Sequence, residues 1–247
     1  MKKDYLFRKV MEIFSRFQRG KVLDLGCGEG RYAEGLQKMG FEVTASDADR
    51  KRFQFHGSVA FEACDLSRAL PFEPGAFDYV LFLEVIEHLY NPAHVISEVN
   101  RVLKRGGKLI LSTPNILNIG SRFRFLFQGS FDFFREPTLD YAKCFPAAAE
   151  NMHVVPWRYQ DLEYLLAKNG FKVDLFSTDK EKSNFYLPYL LLMPVLFLQS
   201  KVEERRSKTR GSVDFARINR ILLSKAILLG RHLILECTNN LYHNIPL

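Results

Sequence analysis

Between Val22 and Gly30 the chain reads VLDLGCGEG, a short apolar run that ends in an acidic residue and then sets three glycines at alternate positions. Directly afterwards, residues 31–39 carry helical spacing and stop at Gly40. A strand that delivers a glycine turn into a helix start is the opening of a nucleotide-binding βαβ unit. Gly26 and Gly28 let the backbone turn sharply and approach a ligand with no Cβ between, and Gly30 permits close packing at the helix start. Spacing alone leaves a phosphate-binding dinucleotide site open.

The rest of the chain follows the same rhythm. Strands are expected at 21–25, 42–46, 59–63, 77–83 and 108–113, alternating with helical patterns. One helix, at 92–103, follows Asn91 as N-cap and is expected to stop at Gly106-Gly107. A further helix at 159–168, with Gly170 as its stop, precedes a strand at 171–177, and a last strand is expected at 232–237. This is an α/β pattern, a doubly wound, mostly parallel sheet with crossover helices. At 247 residues one domain with elaborations is the natural size. Residues 1–20 read as an amphipathic helix and not a signal peptide, because Arg8, Lys9, Glu12 and Arg16 interrupt any apolar core.

Two stretches break the rhythm. Residues 115–156 interleave Phe123, Phe125, Phe127, Phe131, Phe133 and Phe134 with Arg122, Arg124 and Arg135, and a connection this long reads as a lid or binding segment. Residues 183–200 carry no charge, are rich in Leu, Phe and Tyr, and are followed by the basic stretch 201–210. Pro188 and Pro194 are expected to break this run, leaving it short of a spanning helix. Two readings stand: an interfacial or re-entrant element, and a buried helical hairpin.

The net charge of +7 favours an anionic partner: nucleic acid, an acidic small molecule, or an anionic membrane surface. Cys27, Cys64, Cys144 and Cys237 are scattered, with no CxxC, so neither a disulfide framework nor a metal site is expected and a reducing cytoplasm fits.

Later strand ends carry further motifs: VTASDAD at 43–49, ACDL at 63–66, FDYVLFLEVIEHL at 77–89 and ISEVNRVLKRGGKLILSTPN at 96–115. Taken with VLDLGCGEG, this series resembles the class I S-adenosylmethionine-dependent methyltransferases. The resemblance implies a Rossmann-like seven-stranded sheet of order 3-2-1-4-5-7-6, its last strand antiparallel, with insertions after strand five and between strands six and seven. It implies that Asp24 contacts the amino-acid end of S-adenosylmethionine, with Gly26, Cys27, Gly28 and Gly30 forming the turn beneath. Asp47, beside Ala48, would accept from both ribose hydroxyls; Asp65 would meet the adenine amino group and Leu66 its ring; Glu84 and Val85 stand at the fourth strand's end. Cys27 itself reads as a small filler of the turn, with no base beside it.

Methyl transfer is an in-line displacement that relies on alignment and exclusion of water. A hydroxyl acceptor would gain from a general base, by about 10²- to 10⁴-fold. His88, directly after the fourth strand, and His153, where the long insertion re-enters the core, are the candidates, while His56, His94, His232 and His243 have no comparable placement. For His88 the alternative is a residue that orients a loop.

An Asn/Asp-Pro-Pro-aromatic signature for base-amino acceptors does not follow the fourth strand, where LEVIEH stands. Nucleic acid is therefore not the expected acceptor, although SRFRFLF at 121–127 leaves an RNA methyltransferase as an alternative. STPN at 112–115 and HVVPWRYQDLEYLLAKNGF at 153–171 resemble members with small-molecule, glycan or lipid-linked acceptors. The expected reading is O-methylation of such an acceptor in the cytoplasm, with peripheral contact to an anionic membrane. A catalytically silent cofactor-binding protein is the alternative from another class.

Overall fold

The computed structural model describes residues 4–134, 143, 152–208 and 215–240. Seven strands form one sheet: β1 (Lys21–Leu25), β2 (Glu42–Asp47), β3 (Ala60–Ala63), β4 (Phe77–Leu83), β5 (Leu103–Pro114), β6 (Phe171–Ser177) and β7 (His232–Asn239). Their spatial order is β3-β2-β1-β4-β5-β7-β6, as the resemblance implies. β1 to β5 pair in parallel, and β7 runs antiparallel to both β5 and β6.

Strand periodicity divides the core into two layers. On one face, Leu23, Val80, Phe82, Leu109 and Leu111 pack with Ile96 and Val99 of α3 (Pro92–Val102) and with Leu162 and Leu166 of α5 (Tyr159–Lys168). The alternate residues Val22, Leu81 and Ile110 face the other way, onto α1 (Tyr5–Ser15) and α2 (Arg31–Lys38). In α1 the buried residues are Leu6, Val10, Ile13 and Phe14, one helical stripe, and the Asp4 side chain caps the helix by accepting from Phe7 N at 2.9 Å. The central strands are buried on both faces, which is why they read as near-continuous apolar runs.

Helix α3 ends at Val102, not at the glycine pair: β5 already begins at Leu103, opposite Phe77, and Gly106 sits inside the strand at φ +76°. The pairing shifts register between Phe77 and Tyr79, so the glycines serve an irregular strand entry and not a helix stop.

Within the first insertion, Asn118 caps α4 (Ile119–Gln128) by accepting from Ser121 N at 3.0 Å, and Gly129 closes it in the left-handed region. Arg135 and Cys144 lie outside the described residues; Cys27, Cys64 and Cys237 are buried and free. Residues 209–210 of the basic stretch are also outside them.

The second insertion overturns two expectations. It forms one 23-residue helix, α6 (Tyr186–Lys208), which continues through Pro194. Pro188 falls in the first turn, where a missing N–H costs nothing. The hairpin reading fails because a single helix is present and 6% of its 18-residue apolar window is buried. By length and composition Ser183–Arg205 would suffice to cross a membrane. One stripe, however, packs on the domain: Tyr189, Leu192, Met193 and Leu196 lie against Ile119, Leu228 and Leu229. The other stripe, with Leu187, Leu190, Leu191, Val195 and Leu198, is exposed. Two short helices, α7 (Phe215–Leu222) and α8 (Lys225–Leu228), lead into β7.

Gly30 stands at φ +85°, and an added Cβ would drive into the Phe53 ring. Gly30→Ala is expected to cost about 1–3 kcal/mol of stability in urea unfolding; an unshifted midpoint would show that the α2 entry does not depend on this contact.

Candidate active site at the carboxyl edge of the sheet

The turn after β1 is held by the end of β2. The Ser46 carbonyl accepts from Gly26 N at 2.8 Å and Cys27 N at 3.0 Å. Asp47 Oδ2 accepts from Gly28 N at 2.8 Å, while its Oδ1 accepts from Asp49 N at 3.1 Å. Each oxygen keeps a second lone pair for a ligand. Gly26, Gly28 and Gly30 all have positive φ. A Cβ on Gly26 would meet Val85 Cγ2 at 2.5 Å, whereas one on Gly28 would find nothing nearer than an Arg52 nitrogen at 3.8 Å. Gly28 is thus the open side of the turn.

That open side faces a cleft of about 610 Å³, the size of a small-molecule site. Gly26, Gly28, Asp47, Ala48, Asp65, Leu66, Glu84, Val85 and His88 all line it. The structure thus brings together most of the residues singled out in the sequence. Asp24, Cys27, Gly30 and His153 are not among the lining residues. Asp24 is buried beneath the turn, where its Oδ2 accepts from Ala33 N at 3.1 Å in the first turn of α2, and burial raises its carboxyl to about 7. Its geometry is that of a helix-terminus carboxylate. Cys27 is buried and its thiol is pushed well up by that burial, so it is inert as a nucleophile. Asp65 is exposed; the Ser67 N–H, donating at 2.9 Å, holds its carboxyl below the usual range.

Glu84, immediately after β4, is a non-glycine residue at φ +54°, a conformation that costs of order 1–3 kcal/mol and collects at ligand sites. Ser112 Oγ donates to its Oε1 at 2.7 Å.

Both candidate histidines have one ring nitrogen pinned to a backbone carbonyl. His88 Nδ1 lies 3.0 Å from Met152 O, and His153 Nδ1 lies 2.8 Å from Phe133 O. A carbonyl only accepts, so each Nδ1 carries a proton, and in the neutral ring Nε2 is the nitrogen that bears the lone pair. Their rings stand 4.7 Å apart. The chain after the long insertion is tied down here by Val154 N and Val155 N, which donate to Glu87 O at 2.9 and 3.1 Å.

Beside them lies Glu87, wholly buried. Its Oε2 accepts from Thr113 Oγ1 at 3.1 Å; Oε1 has no hydrogen-bond partner and stands 3.9 Å from His153 Nε2. Burial, reinforced by Glu84, pushes Glu87 up to about 9, so at neutral pH it is a carboxylic acid. Burial also holds the His153 imidazole below its ordinary value, favouring the neutral base. Among the described residues, Glu87, His88 and His153 are the group able to hold a metal ion, their ligand atoms lying within 4.8 Å of one another. Metal binding there would require Glu87 to give up its proton.

His232, not expected as a base, lies beside the cleft residue Glu84. Because β7 is antiparallel, its first residue lies opposite Pro114, at the edge where the parallel strands end. His232 Nε2 is 3.4 Å from Glu84 Oε2, and Nδ1 is 3.0 Å from Asp179 Oδ2. The available signal was the antiparallel last strand itself, whose start had to fall at the ligand edge.

A glycine turn and strand-end carboxylates around one cleft, at the point where strand order reverses between β1 and β4, define a doubly wound cofactor-binding protein. The chain belongs to the class I S-adenosylmethionine-dependent methyltransferases: the family model described as Methyltransferase domain matches residues 2–175. A curated relative from Pseudomonas aeruginosa, ubiquinone biosynthesis O-methyltransferase, is 38% identical over 103 residues, 38% of this chain and 44% of the relative. The match thus spans less than half of that protein. Among solved structures, a SAM-dependent methyltransferase from Archaeoglobus fulgidus aligns with TM-score 0.58 and 16% identity over 94% of both chains. Phosphoethanolamine N-methyltransferase 2 of Haemonchus contortus aligns with TM-score 0.55 and 15% identity, over 95% of this chain and 52% of that one. At such identities the solved structures speak for the fold.

Two outcomes follow from this geometry. In wild type, S-adenosylmethionine at a hundredfold over its Kd should add about 2.7 kcal/mol of stability, and Asp47→Ala should remove most of that in a thermal-shift titration; an unchanged shift would contradict a ribose role. For Glu87, the folded-state pKa lies above the unfolded one, so its contribution to stability is full at low pH and is lost as pH rises towards 9. Glu87→Gln, which has no proton to lose, should gain in Tm relative to wild type between pH 6 and pH 9, and a pH-independent difference would contradict the buried neutral acid.

Proposed function

We propose that the chain methylates a hydroxyl of an amphipathic acceptor, a small-molecule, glycan or lipid-linked compound met at an anionic membrane surface on the cytoplasmic side. The observation that carries the chemistry is His88: its Nδ1 is bound to Met152 O and its ring lines the cleft, so the basic Nε2 is the nitrogen left for a substrate proton. Asp47 and Ala48 would hold the ribose, Asp65 and Leu66 the adenine, and Gly26, Glu84 and Val85 the amino-acid end.

S-adenosylmethionine supplies an electrophilic methyl group on a sulfonium; displacement by the acceptor oxygen breaks the carbon–sulfur bond and leaves S-adenosylhomocysteine. His88 Nε2 takes the hydroxyl proton. His153, neutral and pinned, packs against His88 and under Phe134, excluding water from that side.

The acceptor class is supported by the second surface. Between α4 and α6 lies a groove of about 150 Å³ lined by Ile119, Phe123, Leu126, Leu192 and Leu196 together with Arg122. Around it Phe125, Phe127, Leu187, Leu191 and Leu198 are exposed, and the end of α6 mixes Lys201, paired with Glu204 at 2.7 Å, with exposed Glu203 and Arg205, while Lys225 is exposed on α8. An apolar surface edged by cations suits an anionic bilayer.

With labelled S-adenosylmethionine and separated membrane and soluble cell extracts, the label should enter the membrane fraction and S-adenosylhomocysteine should be released. Transfer to the soluble pool alone would sink the acceptor class, and binding without turnover would favour the silent alternative. His88→Ala should lower kcat by about 10²- to 10⁴-fold with little change in cofactor Kd; equal loss in both would make His88 a loop-orienting residue.

A further inference from the structure

Helices α4 and α6 account for the apolar surface and the two pinned histidines for the base, but neither explains the charge cluster at the start of β7, where buried Asp179 and His232 meet the partly exposed Glu84. Topology brings it together. The end of β6 and the start of β7 meet at the sheet's carboxyl edge, so Asp179 and His232 become neighbours there, next to β5 and one strand beyond the end of β4. Asp179 holds His232 by one hydrogen bond, Oδ1 accepting from His232 N at 3.1 Å, and its Oδ2 stands 3.0 Å from Nδ1 at ion-pair distance without hydrogen-bond alignment. The opposite nitrogen, Nε2, reaches Glu84 Oε2 at 3.4 Å, and Ser112 Oγ holds the other Glu84 oxygen at 2.7 Å. Phe133 covers the imidazole, with ring centroids 5.9 Å apart.

The charge states agree with this order. Burial alone would lower the His232 imidazolium, yet Asp179 and Glu84 outweigh it and hold the pKa above its ordinary value. Asp179, although desolvated, is held below the usual carboxylate range by that same partner. Glu84 is raised by burial and drawn back by His232. Other titratable or charged groups felt at Glu84 are Arg231, just before β7, Glu87, after β4, and Tyr32 of α2.

A carboxylate beside a sulfonium cofactor has an evident cation to meet, the ammonium of the cofactor's amino-acid end. Glu84 stands on the cleft next to the glycine turn, and its left-handed backbone keeps it there only if its side chain is anchored. We propose that His232, clamped by Asp179, is a positioning residue that fixes the Glu84 carboxylate for the ammonium of S-adenosylmethionine. The last strand would then contribute to cofactor recognition from the far side of β5. This rests on Glu84 lying at the amino-acid end of the cofactor.

The test compares two ligands of the full chain by titration calorimetry: S-adenosylmethionine, and 5′-methylthioadenosine, which keeps the adenosine and sulfur but has no amino-acid part. His232→Ala should weaken S-adenosylmethionine by at least about tenfold, the scale of a lost charged hydrogen bond, and leave 5′-methylthioadenosine within about twofold. Equal weakening of both ligands would mean a merely structural histidine, and no weakening of either would mean that Glu84 needs no support; each overturns the proposal. Should His232→Ala fail to fold, Asp179→Asn keeps shape while removing the clamp's charge and must show the same ligand-selective loss. Failure of wild type to bind either ligand would instead remove the cofactor placement, and the acceptor assays do not enter.

Discussion

One backbone carbonyl organises this molecule. Ser46 O accepts two consecutive N–H groups from the turn after β1, and the next residue's carboxylate accepts a third from Gly28. With those donors satisfied, the turn is bound to the end of the neighbouring strand and the chain must pass through the left-handed region at Gly26, Gly28 and Gly30. The consequences radiate outwards: Val85 closes against Gly26, Phe53 against Gly30, and Gly28 has no side chain packed against it. Asp24 completes the device from below, accepting from α2 and so aiming its first turn.

Around that turn the acidic groups differ in solvent contact, and their chemistry differs accordingly. Asp65 stays exposed and readily ionised beside Ser67 N. Glu87 has been moved indoors and keeps its proton, while Glu84 is only partly buried and faces His232. Low dielectric makes each of these differences large. Hydrogen-bond acceptors therefore line the expected adenosine end, and a neutral acid with two proton-pinned imidazoles fills the side where a methyl acceptor would enter.

The sheet order and cleft were legible because their signals are local: the strand-end motifs carry residues that line the cleft, and the resemblance orders the strands. Where expectation failed, the deciding fact was tertiary. Gly106-Gly107 looked like a helix stop because nothing local reveals that Leu103 already pairs with Phe77. Pro194 looked like a break, yet Leu192, Met193 and Leu196 pack on Ile119 and carry the helix through it. His232 was invisible because its neighbours Asp179 and Glu84 lie 53 and 148 positions away in the chain and meet it only through an antiparallel last strand.

The central claim is that one cleft, set by the Ser46–Asp47 end of β2, receives the cofactor from adenine at Asp65 to amino acid at Glu84. A crystal structure of the full chain with S-adenosylhomocysteine tests it directly. The account predicts both ribose hydroxyls on the Asp47 carboxylate, the ammonium on Glu84, and His88 Nε2 facing the space beyond the sulfur. A cofactor bound with its ribose away from Asp47, or with its amino-acid end turned from Glu84, would contradict it.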